Sequence, residues 1–515
     1  MSVRILWIDD EIDMLKSHII FLEKKGFITT PHNNPDQILE RIGQNNFDVI
    51  LLDENMPGQS GLDTLQIIKD RYPYLPVIMV TKSEEEQIME EAIGAHISDY
   101  LIKPVNPNQI VLSIKKVLDS NKIISDKSVS SYQQTFGELS YQMMQTNSFP
   151  QWMELFNRLV KIEVSFDSTT DQGMIEILNT QKEEANTLFS KYIEKNYLQD
   201  LAQGEIAFSH TVFKRFVIPK LKKNNPTIFL MIDNLRLDQW QSMQDLFAEY
   251  YHIENTELFS SILPTATQYS RNAIFAGLTP LDIQKKYPQY WLNDDQDGPK
   301  NQFEEELLTE QLKRNSLENL STAYYKISNI YQEEKLLQEF HHFKNNDLTT
   351  IVYNFIDILS HSKTDNQLIK EMIRDDKTFR SLTRNWFENS PLLKIIALAS
   401  SAKINLIITT DHGTTMVKTP SKIIGDRETS TNIRYKMGKN LKYESKKILV
   451  ADVPEAFYLP KSNLSSKYVF AKEDIFLAYP KNYNHFVNYY KDTYQHGGIS
   501  LEEMVIPIIN LLPKS

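Results

Sequence analysis

Residues 406–416 read LIITTDHGTTM. An apolar run passes through Thr409 and Thr410 straight into Asp411, His412 and Gly413. Residues 404–410 have the composition of a buried strand. Asp and Gly at a strand end are ordinary turn chemistry. Asp beside His is also a pair of metal ligands. The rest of the chain has to choose between the two.

The pattern recurs. TIFLMI at 227–232 reads as a strand and ends in Asp233. Residues 350–356 read as another, ending in Asp357 with His361 four residues on. Late in the chain, YQHGGISLEEMVIPIINLL places His496 before two glycines and an apolar strand. Strands separated by helical patterns predict an α/β domain, and such sheets carry chemistry at the carboxyl ends of their strands. Asp357 and His361 fall on one side of a first helical turn. Three buried, unpaired carboxylates are very costly, whereas His nitrogen with carboxylate oxygen suits Zn²⁺, with Mn²⁺ as the other choice. The ligands suffice for two ions. The chain has no cysteine, so Cys-ligated zinc, disulfides and thiol nucleophiles are excluded. LPTATQYSRNAIFAGLTP, residues 263–280, reads as a hydroxyl-rich loop entering a helix near Tyr269. A threonine there is usually a cap. Beside two metals its hydroxyl is a nucleophile, and the helix N-terminus favours a phosphate.

MIDNLRLD, LPTATQYSR, FIDILSH, TTDHG and YQHGG, in this order, resemble the alkaline phosphatase superfamily, in particular its PglZ branch, over residues 216–515. The resemblance implies that Asp233, Thr267, Asp411 and His412 hold one zinc ion and Asp357, His361 and His496 the other. It places Thr267 as nucleophile, with Thr265 as the fallback in the same loop. Asn234 stands where the branch often has glycine, and Asn also accepts positive φ. The sulfatase branch does not fit, because its Cys or Ser motif is absent. The stretch GDRETSTNIRYKMGKN, residues 425–440, is locally basic. Arg427, Arg434, Lys436 and Lys439 there are candidates for holding substrate phosphate, the alternative being a solvated loop. Arg236 and Arg271, inside the site segments, are further candidates.

The first 120 residues alternate short apolar runs with helical patterns, including a helix through residues 85–93, which predicts a doubly wound parallel sheet. Asp9, Asp10 and Asp53 follow strands and converge at one edge, where they need a cation, and oxygen-only ligands suit Mg²⁺. Lys103 across the pocket offers a point charge to a phosphoryl group. WIDDE, LLDENMP, VTKSEE and YLIKP resemble the receiver domain of response regulators, a flavodoxin-like fold. That resemblance implies phosphorylation of Asp53 by a sensor histidine kinase. It implies Mg²⁺ on Asp10, Asp53 and the Asn55 carbonyl with Asp9 nearby, a switch pair Thr81 and Tyr100, and Lys103 on the phosphoryl group.

Residues 121–215 show only helical periodicity, predicting a helical bundle that links the two α/β domains. A receiver, a helical linker and a PglZ domain together resemble the PorX regulators of the type IX secretion system. That family implies zinc-dependent phosphodiesterase activity on cyclic or linear nucleotide-type substrates. Phosphorylation of Asp53, acting through Thr81 and Tyr100, is expected to promote homodimerisation. The alternative is a non-enzymatic regulator whose metal-bound C-terminal domain binds a sigma factor or secretion component. A net charge of −11 argues against reading duplex DNA. No apolar stretch reaches the roughly 18 residues of a membrane span. The opening MSVRILWIDDE is too short in apolar length for a leader, so the expected location is cytoplasmic.

Overall fold

The computed structural model describes residues 3–45, 47–72, 75–82, 97–168, 171–294, 296, 298–425, 430, 432–461, 463 and 465–514. The helix expected through residues 85–93 lies outside them. Two compact units emerge, one built on residues 1–131 and one on residues 132–167 and 171–515.

The first unit is a parallel sheet of β1 (Arg4–Ile8), β2 (Ile28–His32), β3 (Val49–Leu52), β4 (Val77–Thr81) and β5 (Asp99–Ile102). Its order is β2-β1-β3-β4-β5, the flavodoxin-like arrangement. The continuous apolar runs reflect burial on both faces. Ile5, Trp7, Val49 and Leu51 pack on one side with Ile110 and Ile114, while Leu6, Ile8, Ile50 and Leu52 pack on the other with Leu65 and Ile68. Edge strand β2 buries only Thr29 and leaves no apolar run in the sequence. Helices α1 (Lys16–Lys24), α2 (Ile38–Gln44) and α3 (Gly61–Arg71) connect the strands. Ser60 caps α3, accepting from the Asp63 amide at 3.1 Å.

Helix α4 (Pro107–Gln145) runs for 39 residues, and the boundary between the units falls within it. The helical segment expected over residues 121–215 is therefore divided. From Tyr132 onward it belongs to the C-terminal unit. Helix α5 (Phe149–Ser165) buries Phe149, Trp152, Met153, Phe156, Leu159 and Val160, a helical stripe. Phe149 and Trp152 meet Phe189 of α6 (Gln172–Gln203) edge to face, with ring centroids 5.7 and 5.6 Å apart. Asp171 caps the start of α6, and Gly204 at φ 68° ends it.

The second unit is organised by a six-stranded mixed sheet. Its strands are β6 (Thr227–Ile232), β7 (Tyr251–Ser260), β8 (Thr322–Ile327), β9 (Leu348–Tyr353), β10 (Asn405–Thr409) and, last in the chain, β13 (Val505–Pro513), in the order β7-β13-β10-β6-β9-β8. Strands β10, β6, β9 and β8 are parallel, and β13 and β7 add antiparallel pairs at one edge. Outside the sheet, β11 (Thr415–Val417) pairs antiparallel with β12 (Thr493–Gln495). Helices α7 (Leu237–Ala248), α8 (Thr267–Ala276), α9 (Phe355–Asp365) and α10 (Asp376–Glu388) matter below.

One boundary differs from the sequence expectation. Strand β9 ends at Tyr353, not at residue 356, and Asp357 sits in the first turn of α9. Ile356, Leu359, Ser360 and Lys363 are the buried residues there, a spacing of three and four that only a helix turns inward. Among the described residues, no helix is long and apolar enough to cross a membrane.

Candidate metal centre and phosphorylation site

Three neighbouring strands, β10, β6 and β9, end side by side. Asp233 follows β6, Asp411 and His412 follow β10, and α9 opens after β9 with Asp357 and His361. His496 arrives from β12, which is tied to the β10 exit because Thr415 pairs with Gln495. Two ligand sets result: Asp233, Asp411 and His412, and Asp357, His361 and His496, the donor atoms of each lying within 4.8 Å of one another. The rings of His412 and His496 stack at 4.1 Å, so the sets adjoin.

The histidine tautomers follow from their partners. Nδ1 of His412 lies 3.1 Å from the Gly413 carbonyl, and Nδ1 of His496 lies 3.2 Å from the Thr265 carbonyl. A carbonyl only accepts, so Nδ1 carries the proton and Nε2 the lone pair. Those Nε2 atoms face carboxylates: His412 lies 3.6 Å from Asp411, and His496 lies 3.6 Å from Asp357. Burial, aided by neighbouring His412, pushes the His496 imidazole down to about 3, which keeps it neutral. Burial and the charges of Asp411 and Asp357 raise Asp233 well above the usual carboxylate range, with Arg271 opposing. Oδ1 of Asp233 and Oδ2 of Asp411 are buried without a hydrogen-bond partner. Such oxygens fit a cation. The lone pair of the neutral His496 imidazole suits zinc in the set of Asp357, His361 and His496, and the orphaned oxygens of Asp233 and Asp411, beside His412, suit it in the other.

Asn234 adopts φ 65°, the left-handed region in which Asn substitutes for Gly. It also does what glycine could not. Its side chain donates to Ser360 at 3.0 Å and Asp357 at 3.4 Å, while its backbone N–H, as a glycine's would, donates to Asp411 at 3.3 Å, so the residue links the two sets.

The loop hydroxyls separate by geometry. Thr265 is fully buried; it donates to the Gly498 carbonyl at 2.9 Å and accepts from the Gly497 amide at 3.0 Å. Thr267 opens α8 with Ala266 at the cap position, and its Oγ1 lies 3.2 Å from His412 Nε2. The helix begins two residues before Tyr269, so Thr267 is not a cap.

The basic candidates are placed differently from the sequence expectation. Arg434 is fully buried and paired to Glu503 at 2.6 Å. Arg236 is 2% exposed and held by Asp238 and Asp376 at 2.8 and 2.6 Å. Arg271 spends its guanidinium on Asp233, Glu304 and Asn354, each at 3.0 Å. All three are internal counter-charges, which corrects their reading as phosphate ligands. Buried cations need such partners, and apart from Asp238, two residues after Arg236, these lie too far away in sequence to be foreseen. Lys436 also turns inward, donating to the Ser430 carbonyl at 2.8 Å, and burial pushes its amine down to about 7. Lys439 is half-buried just past the strand Tyr435–Gly438. Arg427 lies outside the described residues.

Gly413 has a close-packing reason rather than a turn. A Cβ there would sit 2.0 Å from the Glu502 carbonyl oxygen and 3.4 Å from Arg236 Cγ. Gly413→Ala is expected to destabilise the protein by about 2–3 kcal/mol, read as a lowered urea midpoint. An unchanged midpoint would refute the close approach.

In the first unit, Asp9, Asp10 and Asp53 place carboxylate oxygens within 4.8 Å of one another. Lys103 bridges Asp9 at 2.7 Å and Asp53 at 3.1 Å. Burial raises the Asp53 carboxyl, with Lys103 opposing. Asn55 is exposed beside the cluster and its side chain reaches the buried Thr81 hydroxyl at 3.5 Å. Tyr100 is half-buried on β5, opposite Met79. Such an oxygen cluster fits Mg²⁺.

A cavity of about 440 Å³ adjoins His361. Gln268, next to Thr267, lines it together with Tyr435, Tyr489, Tyr490, Asp294 and Lys300.

Comparison with known families agrees with these parts. The model described as "BREX system PglZ alkaline phosphatase-like domain" matches residues 212–511. The chain belongs to the PglZ alkaline phosphatase-like family. The response regulator receiver domain matches residues 5–115 and the PorX response regulator linker domain residues 122–201. This is the architecture of a PorX-type regulator, and its receiver implies a cognate sensor kinase. Similar proteins include the transcriptional regulatory protein ResD of Bacillus subtilis, 31% identical over 23% of this chain and 48% of that one. Another is the regulatory protein VanR of Enterococcus faecium, 32% identical over 24% and 54%. The chain thus spans about half the length of these relatives. Among solved structures, a CheY-like receiver domain protein from Methanospirillum hungatei is 28% identical, covering 23% of this chain and 96% of that one, with a TM-score of 0.23.

Proposed function

We propose that this PglZ-family regulator is a zinc-dependent phosphodiesterase acting on nucleotide-type substrates, controlled by phosphorylation of Asp53 and serving type IX secretion. The observation that carries the reading is Thr267. Its hydroxyl stands at a helix N-terminus, 3.2 Å from His412 Nε2, beside the buried set of Asp233, Asp411 and His412 and the more open set of Asp357, His361 and His496. Zinc bound by Asp233, Asp411 and His412, and by Asp357, His361 and His496, supplies Lewis-acid stabilisation and lowers the pKa of a bound hydroxyl. Thr267 Oγ1 forms the bond to phosphorus as the ester P–O bond breaks and the alcohol leaves. Water then cleaves the Oγ1–P bond: its hydroxyl goes to phosphorus, releasing the phosphomonoester, and its proton restores the Thr267 hydroxyl. The Asn234 bridge and the two backbone carbonyls on the histidines hold the ligand geometry. The adjoining cavity is of ligand size, its tyrosines and amides offer ring faces and hydrogen bonds to a nucleoside, and Lys300 adds a cation.

The test is hydrolysis of a chromogenic phosphodiester by the full chain after chelation and zinc return. Activity that appears only with zinc supports the reading. No activity on diesters, monoesters or cyclic dinucleotides leaves the partner-binding role and ends the hydrolase reading. In the receiver, the Asp10, Asp53 and Asn55 group holds Mg²⁺, Lys103 contacts the phosphoryl group, and Thr81 and Tyr100 switch. Phosphorylation promotes homodimerisation. An acyl-phosphate mimic is expected to double the mass in sizing chromatography, and Asp53→Ala is expected to remove that response. An unchanged mass for the wild type would sink the dimer.

A further inference from the structure

The helical segment meets the shell around the metal ligands at a carboxylate that three of its neighbours share. Asp376, at the start of α10, accepts from Arg236 at 2.6 Å and from the Tyr494 hydroxyl at 2.8 Å, and its other oxygen faces Lys182 of α6 at 3.2 Å. Arg236 lies three residues past ligand Asp233, and Tyr494 two before ligand His496. The Tyr494 ring also lies under Lys363, with the ammonium 4.5 Å from its centroid, and under Arg236 at 5.6 Å. Lys363 is two residues past ligand His361. One tyrosine therefore touches the segments that deliver Asp233 and His361 and belongs to the segment that delivers His496.

The charges around this hub close only with the helices. Lys182 pairs with Glu163 of α5 at 2.7 Å. Arg380 of α10 joins Glu163, Asp167 and Asp238 at 2.7, 2.6 and 2.8 Å. Asp238 returns to Arg236 at 2.8 Å. Tyr494, Arg236, Asp238 and Arg380 are each at most 3% exposed. In such a closed set, removing one member leaves a buried charge without its partner.

We infer that Asp376 and Tyr494 are positioning residues for the metal ligands, and that Lys182, contributed by the helical segment, is needed to hold them. The segment from Tyr132 to Gln203 is thereby part of the catalytic unit's framework and not only a connector. The inference rests on the metal reading above, not on which ester is cleaved.

The experiment uses the full chain stripped of metal. Zinc affinity is measured by competition with a chromophoric chelator, and thermal unfolding is followed without zinc. Tyr494→Phe deletes one hydroxyl and keeps the ring. It is expected to weaken zinc binding about tenfold, the effect usual for groups behind metal ligands. Lys182→Met is expected to do at least as much, and Lys182→Arg to restore near-normal affinity. Should Lys182→Met fail to fold, Tyr494→Phe decides. Lowered melting temperatures with unchanged zinc affinity in Tyr494→Phe and Lys182→Met would overturn the inference. Wild type that binds zinc but hydrolyses nothing overturns the phosphodiesterase reading alone, because the affinity comparison still stands. Wild type that binds no zinc overturns both.

Discussion

Thr267→Ala is expected to lower the turnover of a chromogenic phosphodiester by about 10³-fold or more, a loss typical of removing a nucleophile. That factor corresponds to about 4 kcal/mol of transition-state stabilisation. Asp233, Asp411 and His412 remain in place, so zinc content is expected to stay near that of wild type and KM to change little. Thr265→Ala is the control. Its hydroxyl joins the Gly497 amide to the Gly498 carbonyl, and its loss removes two buried hydrogen bonds, about 1–3 kcal/mol of stability. A folded Thr265→Ala protein is expected to retain far more activity than Thr267→Ala. Turnover within tenfold of wild type after Thr267→Ala would refute the nucleophile assignment.

Arg271→Met is expected to cost about 3–5 kcal/mol of stability in the metal-free protein, the usual effect of breaking a buried pair from one side. Arg271 is 1% exposed and stands among Asp233, Glu304 and Asp411, at 3.0, 3.0 and 3.5 Å. Without it, Asp233 and Asp411 lose the guanidinium that pairs with them, while Glu304 keeps Lys326 at 3.0 Å. Zinc supplies positive charge to the same two aspartates, so the deficit is expected to shrink when zinc is present. Denaturant melts of wild type and variant, with and without zinc, measure both effects. An equal deficit in the two conditions would mean that the guanidinium and the metal do not share those carboxylates.

The two clusters of candidate ligands were legible because their members sit at strand ends or, for Asp357 and His361, one turn apart on a helix that follows a strand. Local pattern marks such places: the apolar runs before Asp233 and Asp411, and the four-residue step from Asp357 to His361. Asn234 was legible for the same reason, since positive φ is a property of one residue. The basic residues were not. Arg434 finds Glu503 sixty-nine positions away and Arg236 finds Asp376 one hundred and forty away. A charged residue in a polar stretch looks alike whether it faces solvent or an internal carboxylate.

By itself, then, the sequence determined the order of modules, the receiver sheet and the residue types that converge at the ends of β10, β6 and β9. These follow from period, composition and spacing, which act over a few residues. Only the tertiary structure set the Thr267 hydroxyl beside His412 and bonded that of Thr265 to the Gly497–Gly498 backbone, turned Arg236, Arg271 and Arg434 into internal counter-charges, and joined α5 and α6 to the C-terminal unit. Each of those depends on which atoms meet across the folded chain. The reason for Gly413 belongs there too. In LIITTDHGTTM it reads as the residue of a turn, and the fold needs it because the backbone of Glu502 leaves no room for a side chain.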